Sequence, residues 1–333
     1  MELSVVSGRF PDMSPRAWRL RFRPTVIHKR LSMSSFLRIS LTLLAPMIGF
    51  GQEVLPSAIP DGTEKSLLWK ISGQGLSEPS YLYGTIHLID QADFFLSDST
   101  RSFIDASDMV VFEVNMADMT DIGAQIGLLM DAFMDGGQSL KDLLPAEDYQ
   151  LVKDHFQGMG LPIFLFERMK PMFLTVFTSM DLEPDAMSSG DMVSYEMKIL
   201  ELARAGEKRI GGLETIEYQM SIFDSIPYEE QAQMLVESIR SEQNGGDALE
   251  ELVRLYKSQD IDAMVGLLKT EEGMGKHEDM LLVNRNRNWI PVMKEMMANQ
   301  QTFFAVGAGH LGGTQGVIRL LRQEGYTVIP IKG

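Results

Sequence analysis

No cysteine occurs among the 333 residues, which removes disulfides, thiolate metal sites, a cysteine nucleophile and a lipoprotein-type acylation site together. Stability must then come from core packing or from a bound metal. Basic charge is scarce as well: 30 Lys and Arg face 46 Asp and Glu, a net charge of −16. The shortage is uneven. The first 50 residues hold eight basic side chains against Glu2 and Asp12, so this +6 leader leaves −22 on the rest. A body that acidic repels phosphate backbones and anionic lipid surfaces, which disfavours nucleic-acid binding and peripheral membrane docking. There is no low-complexity tract, no C-terminal apolar anchor and no internal repeat beyond one pair of short motifs.

The basic leader runs into an apolar stretch at 39–50 that is too short for a spanning helix, which needs roughly 20 apolar residues. It has secretory length and is followed by Gly49-Phe50-Gly51, the small-x-small form of a cleavage site. Pro46 interrupts the run, and residues 52–65 read as a linker. A second leader-like start lies at Met33. The organisation expected is an upstream extension at 1–32, a signal peptide at 33–51, a linker at 52–65 and a single catalytic domain at 66–333. The protein is then exported, periplasmic or extracellular, with no stable membrane anchor after signal cleavage.

Within the domain, 66–71 and 79–86 read as strands around Gly73-Gln74-Gly75, and 108–114 reads as a buried, nearly continuous apolar strand. From about 120 to 298 helical periodicity dominates, near 121–135, 146–158, 162–180, 191–206, 214–224, 228–243, 246–270 and 276–299. A short strand at 208–212 breaks it. The C-terminus reads strand 302–306, a glycine-rich turn, helix 314–324 stopped by Gly325, and strand 326–331, a β-α-β unit. The fold class is α/β, a mixed β-sheet core built from N- and C-terminal segments with a long, mostly helical middle insert.

The most informative pattern occurs twice: Gly84-Thr85-Ile86-His87 and Gly307-Ala308-Gly309-His310, each after a strand-like apolar run. Glycine at the end of a strand permits a sharp turn, and the histidine three residues on enters the crevice where open α/β sheets bind their ligands. Neutral imidazole serves as metal ligand and as general base. Glu113 is the one charge on its apolar strand, and a buried carboxylate must meet a cation or a metal. Glu214 falls where a helix begins and either serves the site or complements the helix dipole. In Arg285-Asn286-Arg287 one arginine suits a substrate carboxylate or an oxyanion, and the other is solvated. Asp90, Asp93 and Asp98 lack calcium-loop spacing. His155 and His277 read as surface residues, and the 24 methionines as core filling. Gly307-x-Gly309-x-x-Gly312 lacks the acidic partner of a dinucleotide fingerprint.

These residues resemble the TraB/GumN proteins, which are related to the Tiki metalloproteases of animals. The resemblance spans roughly 66–331 and is carried by Tyr83-Gly-Thr-Ile-His87, the strand holding Glu113, Lys170-Pro171, Gly212-Leu-Glu-Thr215 with Gln219, Arg285-Asn286 with Trp289, and Val306-Gly-Ala-Gly-His310. It implies metal-dependent proteolysis with His87, Glu113 and His310 as metal residues, and Glu214 and Arg285 as further catalytic candidates. Mn or Co is the implied ion, and Zn is also compatible. An erythromycin-esterase or ChaN-like core is implied too. Where many relatives carry Gly-Ile/Val-Asp before a helix, this chain reads Ser189-Gly-Asp-Met, with Asp191 only loosely placed. The expected function is an exported metal-dependent hydrolase, a peptidase, acting on a peptide or small-molecule substrate. The alternatives are an iron- or haem-binding protein using the same histidines, and a metal-independent esterase.

Overall fold

Two parallel strands at the centre of the sheet, β2 and β7, are buried on both faces along almost their whole length and are mainly apolar between polar ends. β2 is Ser80–Thr85, buried at every position, and β7 is Thr302–Gly307, buried at all but its last. They pair in parallel, although the sequence separates them by more than 200 residues. Around them stand β1 (Leu68–Ser72), β4 (Met109–Val114), β6 (Arg209–Glu214) and β8 (Thr327–Pro330), in the order β6-β4-β7-β2-β1-β8. Pairing is parallel from β6 to β2 and antiparallel at β2-β1 and β1-β8, so β1 alone runs against the rest. The sheet is the mixed α/β core; five of its six strands come from the N- and C-terminal segments, and β6 comes from within the helical middle stretch.

The computed structural model describes residues 64–116, 127, 130–178, 192–243, 247–270 and 275–332, within one compact unit, Ala58–Gly333. The expected leader, linker and most of the helix at 121–135 lie outside the described residues, as does Asp191.

Helix α1 (Asp98–Ala106), capped by the Ser97 hydroxyl on the Thr100 amide, carries the chain from β2 to β4. After β4 come α2 (Leu140–Leu143), α3 (Ala146–Gly158) and α4 (Pro171–Thr178). Then follow α5 (Tyr195–Ala205), β6, α6 (Ile216–Asp224), α7 (Tyr228–Gln243), α8 (Asp247–Lys257), α9 (Ile261–Thr270) and α10 (Asn284–Asn299). The last helix, α11 (Val317–Gln323), crosses from β7 to β8. The main core is the sheet with Trp69, Phe112, Trp289, Phe303 and Phe304 fully buried, and a second core joins Phe156, Leu174, Leu235 and Ile239 from the helical insert. A two-stranded antiparallel ribbon, β3 (Leu88–Asp90) with β5 (Met192–Ser194), was not foreseen from periodicity, being three residues long on each side.

Several expected helices are shorter or divided. The segment 162–180 is a 3-10 turn, Ile163–Leu165, followed by α4, because Pro171 suits a helix start better than its middle. The segment 246–270 divides at Gln259, whose φ of 58° cannot continue a helix. The stretch 276–299 comprises a 3-10 turn, a π-helical turn at Asp279–Val283 and then α10. Helix 314–324 starts later, at Val317, with Gly316 at its N-cap. Among the described residues no helix is long and apolar enough to cross a membrane.

Candidate functional site

The four parallel strands end at one edge. Register sets Thr85 of β2 beside Gly307 of β7, and Val114 of β4 beside Glu214 of β6. The chain leaves β4 toward β6 on one side and leaves β7 toward β8 on the other, so the topological switch lies between β4 and β7. That crevice is the ligand position of open α/β sheets.

Both Gly-x-x-His turns emerge there. Gly84 pairs with Val306, and a Cβ on Gly84 would lie 3.0 Å from Leu311 Cδ2 and 3.1 Å from the Cα and Cβ of Ala308. Glycine therefore fits best here, because the second turn packs directly on the first and a side chain would have to push it aside. His310 ends a 3-10 turn, Ala308–His310, and is 4 % exposed.

Glu113 and His310 face each other across the crevice with Oε1 3.7 Å from Nε2. The Gly307 amide donates to Glu113 Oε1 at 2.8 Å, and Gln219 Nε2 donates to Oε2 at 3.3 Å. Arg285, in the first turn of α10 and directly after the π-helical turn, enters between the acids. Its Nη2 donates to Glu113 Oε2 at 2.6 Å and to Glu214 Oε1 at 2.5 Å, and its Nε to Glu214 Oε1 at 3.0 Å. Trp289 Nε1 donates to Glu214 Oε2 at 2.8 Å. Glu214 is the last residue of β6, and Thr215 caps α6, so the carboxylate belongs to this ion pair and not to the helix dipole. Arg287 instead donates to Gln315 at the surface.

The tautomer of His310 follows from its partners. Guanidinium only donates, so Arg285 Nη1, 3.2 Å away, makes Nε2 the acceptor, and Nδ1–H donates to Asn286 Oδ1 at 2.6 Å. Asn286 is oriented by its own Nδ2 donating to the Gln315 carbonyl at 2.9 Å. Burial, followed by the cations of Arg285 and His87, lowers the His310 pKa to about 3 against the pull of Glu113. Burial is also the largest influence on Glu113 and opposes its ionisation, yet the facing cations and the Gly307 amide outweigh it and hold the carboxyl well below its ordinary range. Since His310 is neutral at ordinary pH, Arg285 is the cation that counts.

His87 is placed differently. Its side chain is 76 % exposed, and Nδ1 lies 3.1 Å from Glu196 Oε1. That hydrogen bond is the first cause raising the His87 pKa, with burial opposing it, while water around the exposed ring screens the shift. Among the described residues no three His, Cys, Asp or Glu side chains are arranged as a metal-ligand cluster. The donor chemistry nevertheless suits a divalent ion: His310 has one ring nitrogen fixed by Asn286 Oδ1 and His87 has one fixed by Glu196, the arrangement that orients histidine ligands. In this state Arg285 occupies the remaining nitrogen of His310 and one oxygen of Glu113.

The other sequence candidates lie apart. Asp90 accepts from the Ala92 amide, Asp93 pairs with Lys257, and Asp98 opens α1. His277 is not a surface residue: its side chain is 11 % exposed and meets Glu230 at 3.1 Å, and His155 is half-buried. Sequence reasoning missed Glu196. The signal available was Ser194-Tyr195-Glu196, a capping serine followed by an acid in the first turn of α5.

Comparison with known proteins gives the same placement of the chain. It is 26 % identical over 316 residues to Metalloprotease TIKI2 of Danio rerio, covering 79 % of this chain and 60 % of that protein. To Metalloprotease TIKI1 of Danio rerio it is 26 % identical over 355 residues, 90 % of this chain and 70 % of the relative. To human Metalloprotease TIKI1 it is 25 % identical, over 79 % of this chain and 61 % of the relative. The chain thus spans about 60–70 % of the length of these relatives. No solved structure matches it. The model of the TraB/PrgY/gumN family matches residues 67–330, from just before the first strand to the last residue of β8, and the chain belongs to that family.

Proposed function

We propose that the protein is an exported metal-dependent hydrolase, a peptidase, whose site is the crevice between the two Gly-x-x-His turns. One observation carries the reading: the parallel register of β2 with β7 brings the two turns together at the switch point, where Glu113, Glu214, Arg285 and His310 converge. The metalloprotease names of the relatives support the reaction class. His87, Glu113 and His310 are the residues that would hold the ion, with Mn or Co favoured and Zn compatible. Such an ion supplies a Lewis acid for a scissile carbonyl and an acidified water.

The chain's own groups carry the rest. Glu113 remains ionised beside Arg285 and is the carboxylate available as ligand or proton acceptor. Glu214, itself held by Trp289 Nε1, fixes Arg285, and the Nη1–H that now bonds to His310 Nε2 would be released, once that nitrogen holds an ion, as a donor for an oxygen that gains negative charge. The buried Trp289 ring, 4.4 Å from the His310 ring, keeps water from that side. The basic leader with its apolar run at 39–50 supports export.

The test is elemental analysis of protein prepared without chelator, beside the His87→Ala/His310→Ala double variant, followed by peptide hydrolysis with added Mn or Co. Near-stoichiometric metal that disappears in the variant, with chelator-sensitive hydrolysis, is expected. Absence of metal after reconstitution overturns the metal reading. Chelator-insensitive ester hydrolysis would then point to a histidine as base on water, and to His87 in place of His310, whose Nε2 already accepts from Arg285.

A further inference from the structure

His87 does not stand alone at the rim of the crevice. The short ribbon β3-β5 pairs Leu88 with Ser194, and continuing that antiparallel register by one residue sets His87 opposite Tyr195, whose neighbour in the chain is Glu196. Glu196 sits in the first turn of α5, where the helix dipole favours an anion. Its side chain is only 15 % exposed. Three groups converge on it: the buried hydroxyl of Thr85 donates to Oε1 at 2.7 Å, the Ser194 hydroxyl reaches Oε2 at 3.3 Å, and His87 Nδ1 lies 3.1 Å from Oε1. Thr85 is the second residue of the first Gly-x-x-His turn, so one carboxylate holds both the turn and the imidazole that ends it.

We propose that Glu196 is the positioning residue of His87: it accepts the Nδ1 proton, fixes the ring orientation and leaves Nε2 as the free nitrogen offered to the crevice. The ligand role of that nitrogen rests on the reading above, whereas the orientation of the ring does not. The arrangement answers the one at His310, where Asn286 Oδ1 takes the Nδ1 proton. Two histidines presented in the same way through different acceptors make a matched pair of donors. A glutamate kept only as a helix N-terminal anion would need neither Thr85 nor His87.

Two readouts test this. Ring ¹H–¹⁵N correlation spectra of histidine-labelled, metal-free protein, recorded at alkaline pH where the ring is neutral, report the tautomer of His87. The Nδ1–H form is expected in the wild type, with a shift toward the Nε2–H form in Glu196→Ala and a partial shift in Glu196→Gln, which keeps an acceptor oxygen. An unchanged tautomer in Glu196→Ala overturns the proposal whether or not the protein binds metal. The second readout is Mn²⁺ affinity. Loss of an outer-shell partner lowers it by about 10–100-fold, and the same substitution placed on His87→Ala should add nothing further. An equal loss in both backgrounds would mean a general structural role and would also overturn the proposal. If the wild type takes up no Mn²⁺, the metal reading fails and the tautomer alone decides for or against Glu196. If Glu196→Ala does not fold, Glu196→Gln carries the test, since an amide accepts more weakly than a carboxylate: a partial shift toward the Nε2–H form is expected, and an unchanged tautomer overturns the proposal.

Discussion

Arg285 is held by two carboxylates, a backbone carbonyl and an imidazole nitrogen, and is itself 8 % exposed. Removing it leaves Glu113 and Glu214 facing each other without a cation, and breaking a buried ionic group in this way costs about 3–5 kcal/mol. Arg285→Met should show that loss in chemical denaturation, and adding Glu214→Gln should recover part of it, because the two residues share one network. Acid should act on the same cluster. His310 has a folded-state pKa of about 3, below the ordinary 6.5, so the unfolded chain takes up this proton first. Stability therefore falls as pH drops from about 6.5 toward 3. Glu113 adds to the loss below its ordinary 4.5, since it too is depressed in the fold. His87 works in the opposite sense: its raised pKa gives a contribution present below 6.5 and lost as pH rises. Melting temperature measured from pH 7 to 4.5 should decline in the wild type and flatten in His310→Asn.

At the scale of the element, the contact between the two turns is the constraint that most limits substitution. Gly84→Ala places a methyl group 3.0–3.1 Å from Leu311 and Ala308, so one turn must move. Overpacking of this kind costs about 1–3 kcal/mol, and displacement of His310 should lower the proposed hydrolysis further than the stability loss explains. Thermal melts beside hydrolysis rates separate the two effects. The central strands and both histidines were legible in the sequence because apolar runs ending in glycine mark buried strands and tight turns. The β3-β5 ribbon was not, since three residues give no periodicity. Nor could spacing reveal that Arg285 joins Glu113 to Glu214, or that Glu196 meets His87, because these contacts span 71 to 172 residues of chain. The helical breaks at Pro171 and Gln259 were readable only in part: proline marks a helix start, whereas a left-handed glutamine leaves no sign.

At the scale of the whole molecule, the sheet depends on its last strand. β8 covers the outer side of β1, and Val328 and Trp69 are each 1 % exposed. Removing residues 327–333 should bare a long strand edge together with the Trp69 region, and such edges associate. Gel filtration and dye binding should show aggregation, whereas Ile329→Lys, at a position that is 43 % exposed, should leave the protein monomeric. The anionic excess acts over the same scale: cationic peptides should associate faster than acidic ones, and added salt should narrow the difference.

The insertion of β7 between β4 and β2 also sets an order of events in time. Thr302 bonds to Ser80 across 222 residues of chain, and His310 follows still later. As the polypeptide emerges from its N-terminus, the first turn with His87 and the strand with Glu113 must wait, unpaired on one side, until β7 and His310 have appeared. The crevice therefore forms well after its N-terminal contributors have been made. A chain interrupted before His310 has neither the second turn nor the crevice, so whatever reaction the site performs waits on residues made more than 200 positions after the first turn.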